Sequence, residues 1–294
     1  MRNLVIPPAW REVWICPLAN GHLQAVGTDD AGRRQYLYLP VWRERRDLQK
    51  YRRVAEAAAL LPPVRRQVGR DLRQPGMPVE RVAALAVRLL DEGYFRIGND
   101  VYADRHGSFG LTTLQRRHVR RQGESLGFRF TGKSGIDHEV TISDPQVLAV
   151  IRMLRRRPGK GDERLLAYRT SGGWTELTSA TVNAYLAQLF ETEFTAKDFR
   201  TWHATVIAAE SLALSDEPGA TAVSRKRAAR AAVNEVAGYL GNTPAVARAS
   251  YIDPRVIDRH ESGVTMDPAV ARAHRGSRGR TAAETAVLEL LGGD

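Results

Sequence analysis

The chain has 294 residues and carries 44 Lys and Arg against 33 Asp and Glu, a formal charge of +11. Compact domains cluster at roughly 100–150 residues, so this length suits two, and a cation excess of this size points to a polyanion such as nucleic acid or to a solvated basic face. Cys16 is the only cysteine, which excludes an intramolecular disulfide and a cysteine metal cage; no signal peptide or bilayer-length apolar run is present, so a soluble intracellular protein is expected.

Residues 12 to 39 hold short alternating apolar runs, EVWIC, HLQAVG and QYLYL, separated by LANG and TDDAGRR, a pattern of β-hairpins. The texture then changes to DLQKYRRVAEAAALL and VERVAALAVRLLDEG, whose apolar residues recur at helical spacing, so a domain boundary is predicted between 43 and 55. SLGFRFTGKSGIDHEVTI alternates about a glycine-flanked turn and predicts a hairpin inside an otherwise helical region, with Lys133 where its first strand enters the turn.

From residue 178 nearly everything reads as helix. Thr195 followed three residues later by Asp198 predicts a capping box at the start of AKDFRTWHATVIAAESLAL. An alanine-rich helix follows, ending at Leu240-Gly241, and Thr243-Pro244 supplies an N-cap and first-turn proline for a new short helix. The basic AHRGSRGR stretch reads as a mobile linker before a last helical segment at 281–291.

Of the 44 basic residues only Lys50, Lys133, Lys160, Lys197 and Lys226 are lysine. Arginine stays charged and binds phosphate bidentately, whereas lysine can release a proton, so a general acid in this chain should be a lysine. In KDFRTWHAT, Lys197 and Arg200 stand at i and i+3, so both are expected on one helix face, either a phosphate patch or a solvated one, with Phe199, Trp202 and Val206 toward a core. His203 lies nearby and reads as structural.

Arg96 leaves a helix that ends at Gly93 and enters a glycine-punctuated loop followed by Tyr102. On one continuous helix Asn242 and Tyr251 would face opposite sides, roughly 13 Å apart along the axis; the Gly-Asn-Thr-Pro break lets both face one site. Taken alone, Tyr251 reads as an amphipathic packing residue whose hydroxyl reaches solvent. His-Glu-x-x-His, paired Cys-x-x-Cys, a carboxylate cluster and glycine-rich nucleotide loops are absent from the sequence.

The blocks YFRIGN, GLTTL, TGKSGIDHEV, KDFRTWHATVIAA and LGNTPAVARASYI, in this order, resemble the signature blocks of poxvirus-like bacterial type IB DNA topoisomerases, of the tyrosine recombinase and type IB topoisomerase superfamily. IPPAWREVWICP and GHLQAVGTDDAGRRQYLY resemble that family's β-rich domain, so the resemblance spans residues 4 to about 262. It implies an α+β fold: a β-rich N-terminal domain at 1–50, shorter than the family's, and a larger, mainly helical catalytic domain at 51–262 with an inserted β-hairpin or small sheet. The two would form a clamp around DNA, followed by a basic linker and C-terminal helix at 263–294.

Carried over residue by residue, the resemblance makes Tyr251 the nucleophile, Arg96 and Arg200 the phosphate-binding arginines, and Lys133 the general acid. Lys197 would support the second arginine and Tyr102 would contact DNA phosphate. Viral and eukaryotic members have a histidine where this chain has Asn242, an amide that can donate a hydrogen bond but cannot titrate. The implied activity is relaxation of supercoiled duplex DNA through a 3′-phosphotyrosyl intermediate, without ATP, nucleotide cofactor or metal, by a cytoplasmic, nucleoid-associated monomer.

Two alternatives stay open. A tyrosine recombinase shares the fold but usually has His-x-x-Arg where this chain has Lys-x-x-Arg, and a helical rather than β-rich N-terminal domain. A non-catalytic DNA-binding protein on the same fold is the other.

Overall fold

A computed structural model of the chain describes residues 4–98, 107–215, 221–275 and 280–292. The fold is α+β, and the chain divides after Arg53 into two units. The first begins with three strands, β1 (Arg11–Ile15), β2 (Leu23–Thr28) and β3 (Arg34–Tyr38), which form an antiparallel sheet in sequence order. β2 is central and is buried continuously from Gln24 to Gly27 rather than on alternate residues, because both of its edges are paired. The TDDAGRR turn is closed by Asp29, whose carboxylate accepts from the backbone N–H groups of Ala31 and Arg33 at 3.0 and 2.9 Å. Helix α1 (Pro40–Ala58) follows, and its Trp42 stacks on Tyr38 with ring centres 4.9 Å apart.

The second unit is mainly helical: α2 (Leu61–Asp71), α3 (Val79–Gly93), α4 (Pro145–Arg156), α5 (Ser179–Phe190), α6 (Ala196–Ala213), α7 (Ala222–Leu240), α8 (Pro244–Ser250), α9 (Pro254–Glu261), α10 (Pro268–Arg275) and α11 (Arg280–Gly292). Between α3 and α4 lies the antiparallel sheet β4 (Val119–Gln122), β5 (Ser125–Thr131) and β6 (Asp137–Ile142); a hairpin of β7 (Ala167–Thr170) and β8 (Gly173–Glu176) precedes α5. Two helices organise the core. Along α3, residues Val82 to Val87, Leu89 and Leu90 are buried, and α6 is covered on nearly every side by α3, α5, α7, α9, α10 and α11. β5 turns Phe128 and Phe130 inward against Phe95, with ring centres 5.2 and 5.8 Å apart.

The helix starts follow their local chemistry. Asp198 Oδ2 accepts from the backbone N–H of Thr195 at 2.9 Å and from its hydroxyl at 2.7 Å, fixing the first turn of α6. Asp144 and Thr178 are themselves N-caps: Asp144 accepts from the N–H groups of Gln146 and Val147 at the start of α4, and Thr178 from that of Thr181 at the start of α5.

Beyond residue 262 the structure differs from a linker followed by one helix. Ala273 to Arg275 close α10 and Arg280 opens α11, while the four residues between them in AHRGSRGR lie outside the described residues. Both helices pack on α6 and belong to the second unit. Their attachment is ionic as well as apolar. Arg65 on α2 bridges Asp91 on α3 and Glu284 on α11, with contacts of 2.8 and 2.6 Å, and Arg280 returns to Asp91 at 2.6 Å. His203 sits inside this cluster, where burial, and then Arg280, hold its pKa below the ordinary imidazole value. His203 Nε2 lies 2.9 Å from Arg280 Nη2 and 3.4 Å from Asp91 Oδ1.

Candidate active site

Three separate segments meet at one crevice in the second unit. The first begins where α3 ends: Tyr94 adopts the left-handed conformation (φ 54°) at the C-cap and turns the chain so that Arg96 leads into the loop. Residues of GLTTL hold that exit. Leu111 N–H donates to Arg96 O and Thr112 N–H to Ile97 O, both at 2.8 Å, and the Thr112 hydroxyl reaches Ile97 O at 2.9 Å. The pairing brings Gly98 (φ 98°) against Gly110 so closely that a Cβ on Gly110 would stand 2.5 Å from Gly98 Cα, which explains the glycine at both positions.

The second segment is α6, which delivers Arg200. Its guanidinium is buried and donates through Nη1 to Tyr94 O and through Nη2 to Leu240 O, the latter at 2.7 Å. Thus one arginine ties the end of α3 to the end of α7. Burial, and then repulsion from Arg96, push its pKa down to about 10, with Tyr251 opposing the shift, so it is still a cation at neutral pH.

The third segment is the break after α7. Gly241 takes φ 57° and ends the helix; Thr243 Oγ1 then accepts from Val246 N–H at 3.3 Å and starts α8 at Pro244. Arg96 Nη2 donates to Gly241 O at 3.0 Å and to Asn242 Oδ1. Tyr251 sits at the C-cap of α8, half-buried, with its ring centre 5.5 Å from the Arg200 guanidinium carbon. The break therefore places Asn242 against one arginine and Tyr251 against the other.

Two hydrogen-bond donors remain unused in this cluster. Asn242 Nδ2 and Arg200 Nε are buried and have no partner among the described residues. Two guanidinia, an amide N–H and a phenol gathered together make a donor set suited to a tetrahedral oxyanion.

The family model for the catalytic core of eukaryotic DNA topoisomerase I matches residues 40–265, and that for the N-terminal domain of bacterial DNA topoisomerase IB matches residues 1–29. The chain belongs to the type IB DNA topoisomerase family. It is 30% identical over 260 residues to DNA topoisomerase 1B of Acanthamoeba polyphaga mimivirus, covering 86% of this chain and 76% of the viral one. DNA topoisomerase 1 of Schizosaccharomyces pombe is 29% identical over 169 residues, 56% of this chain and 19% of its own. DNA topoisomerase 1B of vaccinia virus strain Copenhagen is 25% identical over 119 residues, 40% of this chain and 37% of its own.

Of the residues that the sequence assigned to a topoisomerase IB site, Arg96, Arg200, Asn242 and Tyr251 are brought together. Lys133 is exposed in the tight turn Gly132-Lys133-Ser134-Gly135 between β5 and β6, while Gly132 beside it lines the crevice with Arg96 and Arg200. Tyr102 lies outside the described residues. Lys197 is exposed, one turn before the buried Arg200 on α6. The two differ in burial because Lys197 stands in the first turn of α6, while the rest of this central helix has almost no solvated side.

Sequence reasoning passed over His138. It lies on β6 opposite Phe130, and in GIDHEVTI it has the inward parity of Val140 and Ile142, the signal that would have found it. No helix among the described residues is long and apolar enough to cross a membrane.

Proposed function

We propose that this type IB topoisomerase relaxes supercoiled duplex DNA by reversible cleavage of one strand through a 3′-phosphotyrosyl intermediate, acting as a monomer without ATP, nucleotide or metal. The observation that carries the reading is the convergence of the Arg96 and Arg200 guanidinia, the unpartnered Asn242 amide and the Tyr251 phenol at one crevice.

In this reading Tyr251 loses its phenolic proton to solvent and its oxygen attacks a backbone phosphorus. The Tyr251 O–P bond forms as the P–O5′ bond breaks, and Lys133 gives a proton to the departing 5′-oxygen. Negative charge gathering on the non-bridging oxygens is met by Arg96, Arg200 and Asn242, already fixed before reaction. The 5′-hydroxyl strand then rotates and attacks the phosphotyrosine, releasing Tyr251. One phosphodiester is exchanged for another, so no external energy is required. Lys197, exposed one turn before Arg200, serves DNA backbone binding, as does Tyr102.

The test is plasmid relaxation in EDTA without ATP, wild type beside Tyr251→Phe, with denaturant trapping of the adduct. Full relaxation by the wild type, none by the variant and a 3′-linked adduct are expected. A 5′ adduct, an ATP requirement or relaxation surviving Tyr251→Phe would sink the reading.

A further inference from the structure

The hairpin that carries Lys133 is attached to the crevice by an imidazole. His138 on β6 stacks on Phe130 of β5, with ring centres 5.3 Å apart and planes 20° from parallel. Beyond Phe130 its ring occupies two notches that exist because glycines flank it. A Cβ on Gly132 would come within 2.5 Å of His138 Cδ2, and one on Gly241 within 2.8 Å of His138 Cε1. Gly132 directly precedes Lys133, and Gly241 directly precedes Asn242.

The ring thus stands between the turn bearing the lysine and the turn bearing the amide, in the crevice that Arg96 and Arg200 also line. Burial, then Arg96 and Arg200, lower its pKa, so it enters this cationic setting as a neutral ring. A permanent cation here would be repelled by both guanidinia. An aliphatic side chain would lack the flat ring that stacks on Phe130 and fits between two backbone segments.

Among the described residues two contacts tie the Lys133 turn to the rest of the site, the Phe109 N–H to Thr131 O bond at 2.8 Å, which holds the end of β5, and this wedge, which alone reaches the Asn242 turn. Lys133 itself is exposed, and its turn is closed by bonds internal to the hairpin, Gly132 N–H to Ile136 O at 2.7 Å and the Thr131 hydroxyl to Asp137 Oδ1 at 2.8 Å. Those bonds shape the turn without fixing where it stands relative to the phosphate. We propose that His138 is a positioning residue: its ring, seated against Gly132 and Gly241, sets the place of Lys133 relative to Asn242 and the arginines. The proposal deepens the function given above and rests on Lys133 contributing to strand cleavage.

A double-mutant cycle tests it on the full-length protein. Single-turnover cleavage of a duplex, at a site mapped by adduct trapping, is measured for wild type, His138→Ala, Lys133→Ala and the double variant. Misplacing a catalytic group by an ångström can cost on the order of 100-fold, so His138→Ala should slow cleavage by about 10- to 100-fold with little change in DNA affinity. In the Lys133→Ala background the same change should add almost nothing, because the residue acts through Lys133. His138→Phe, which keeps a flat ring without its nitrogens, should recover part of the loss.

A second substrate keeps the two readings apart. With sulfur in place of the bridging 5′-oxygen the leaving group needs no proton, so His138→Ala and Lys133→Ala should both cleave it at near wild-type rate. If Lys133→Ala is not rescued by sulfur, its role as proton donor fails, while the cycle still judges the positioning role. Additive losses in the cycle overturn the proposal, as does a His138→Ala variant that cleaves ordinary DNA at the wild-type rate. A variant that melts early is replaced by His138→Phe and His138→Gln in the same cycle.

Discussion

Replacing Asp91 by asparagine removes one of two carboxylates from a cluster that balances two guanidinia. Asp91 Oδ2 accepts from Arg65 Nε at 2.8 Å, and Oδ1 accepts from Arg65 Nη2 at 3.1 Å and Arg280 Nη2 at 2.6 Å. Glu284 alone would then face both cations, with Asp91 and Glu284 positions only 4% and 5% exposed. Breaking a buried ion group by removing one partner costs about 3–5 kcal/mol, chiefly through the charge left unpaired. For a unit of this size each kcal/mol shifts the midpoint by roughly 2–4 °C, so a fall of about 10 °C is expected in a thermal melt at pH 7. Burial alone would raise the Asp91 pKa, but Arg280, His203 and Arg65 outweigh it and hold the carboxyl well below the usual range. A depressed carboxylate stabilises above its unfolded value of about 4 and loses that contribution as pH falls through the folded value. The gap between wild type and Asp91→Asn should therefore be full at pH 7 and close progressively below about pH 4. A variant melting within about 2 °C of wild type at pH 7, or a gap that widens on acidification, would refute this account of how α11 is held.

Gly241→Val meets two obstacles, a left-handed backbone (φ 57°) and the His138 ring 2.8 Å from the new Cβ, so about 2–3 kcal/mol of stability should be lost in urea unfolding together with relaxation activity. Tyr185→Phe removes a 2.6 Å hydrogen bond to Asp71 Oδ2, while Gln67 and Gln74 continue to donate to Oδ1. A loss of about 1–2 kcal/mol in the same assay is expected, with plasmid relaxation unchanged because the pair lies outside the crevice.

The parts that the sequence made legible are those decided within a few residues. Thr195 and Asp198 announce the start of α6; Gly241 followed by Thr243-Pro244 announces the break between α7 and α8; the alternation around TGKSG announces the hairpin. Each is a local choice of φ or of a nearby donor, and each predicts its element because no distant residue has a vote. The α10–α11 attachment has no such signature. Arg280 and Asp91 stand 189 positions apart, and neither residue type announces a buried partner. The burial of Arg200 beside an exposed Lys197 was illegible for a related reason: helical periodicity says which residues share a face, but whether that face meets solvent depends on how many other helices converge on it.

The exchange of a histidine for Asn242 gains a physical reading from its partner. Arginine only donates, so the atom that faces Arg96 Nη2 must be an acceptor, which leaves the amide nitrogen as a buried donor without a partner among the described residues. One small side chain therefore does two things: its oxygen helps orient Arg96, and its nitrogen is left for a substrate oxygen. A neutral imidazole could offer the same pair of one acceptor and one donor, but a protonated one would present two donors and repel the guanidinium. Asparagine keeps the acceptor toward Arg96 at every pH at which the protein folds. The same requirement bears on His138, the imidazole that does line the crevice: beside Arg96 and Arg200 it is held neutral, so neither residue adds a charge that would compete with the two arginines for the phosphate. The positive charge lining the crevice is thereby left to the two guanidinia.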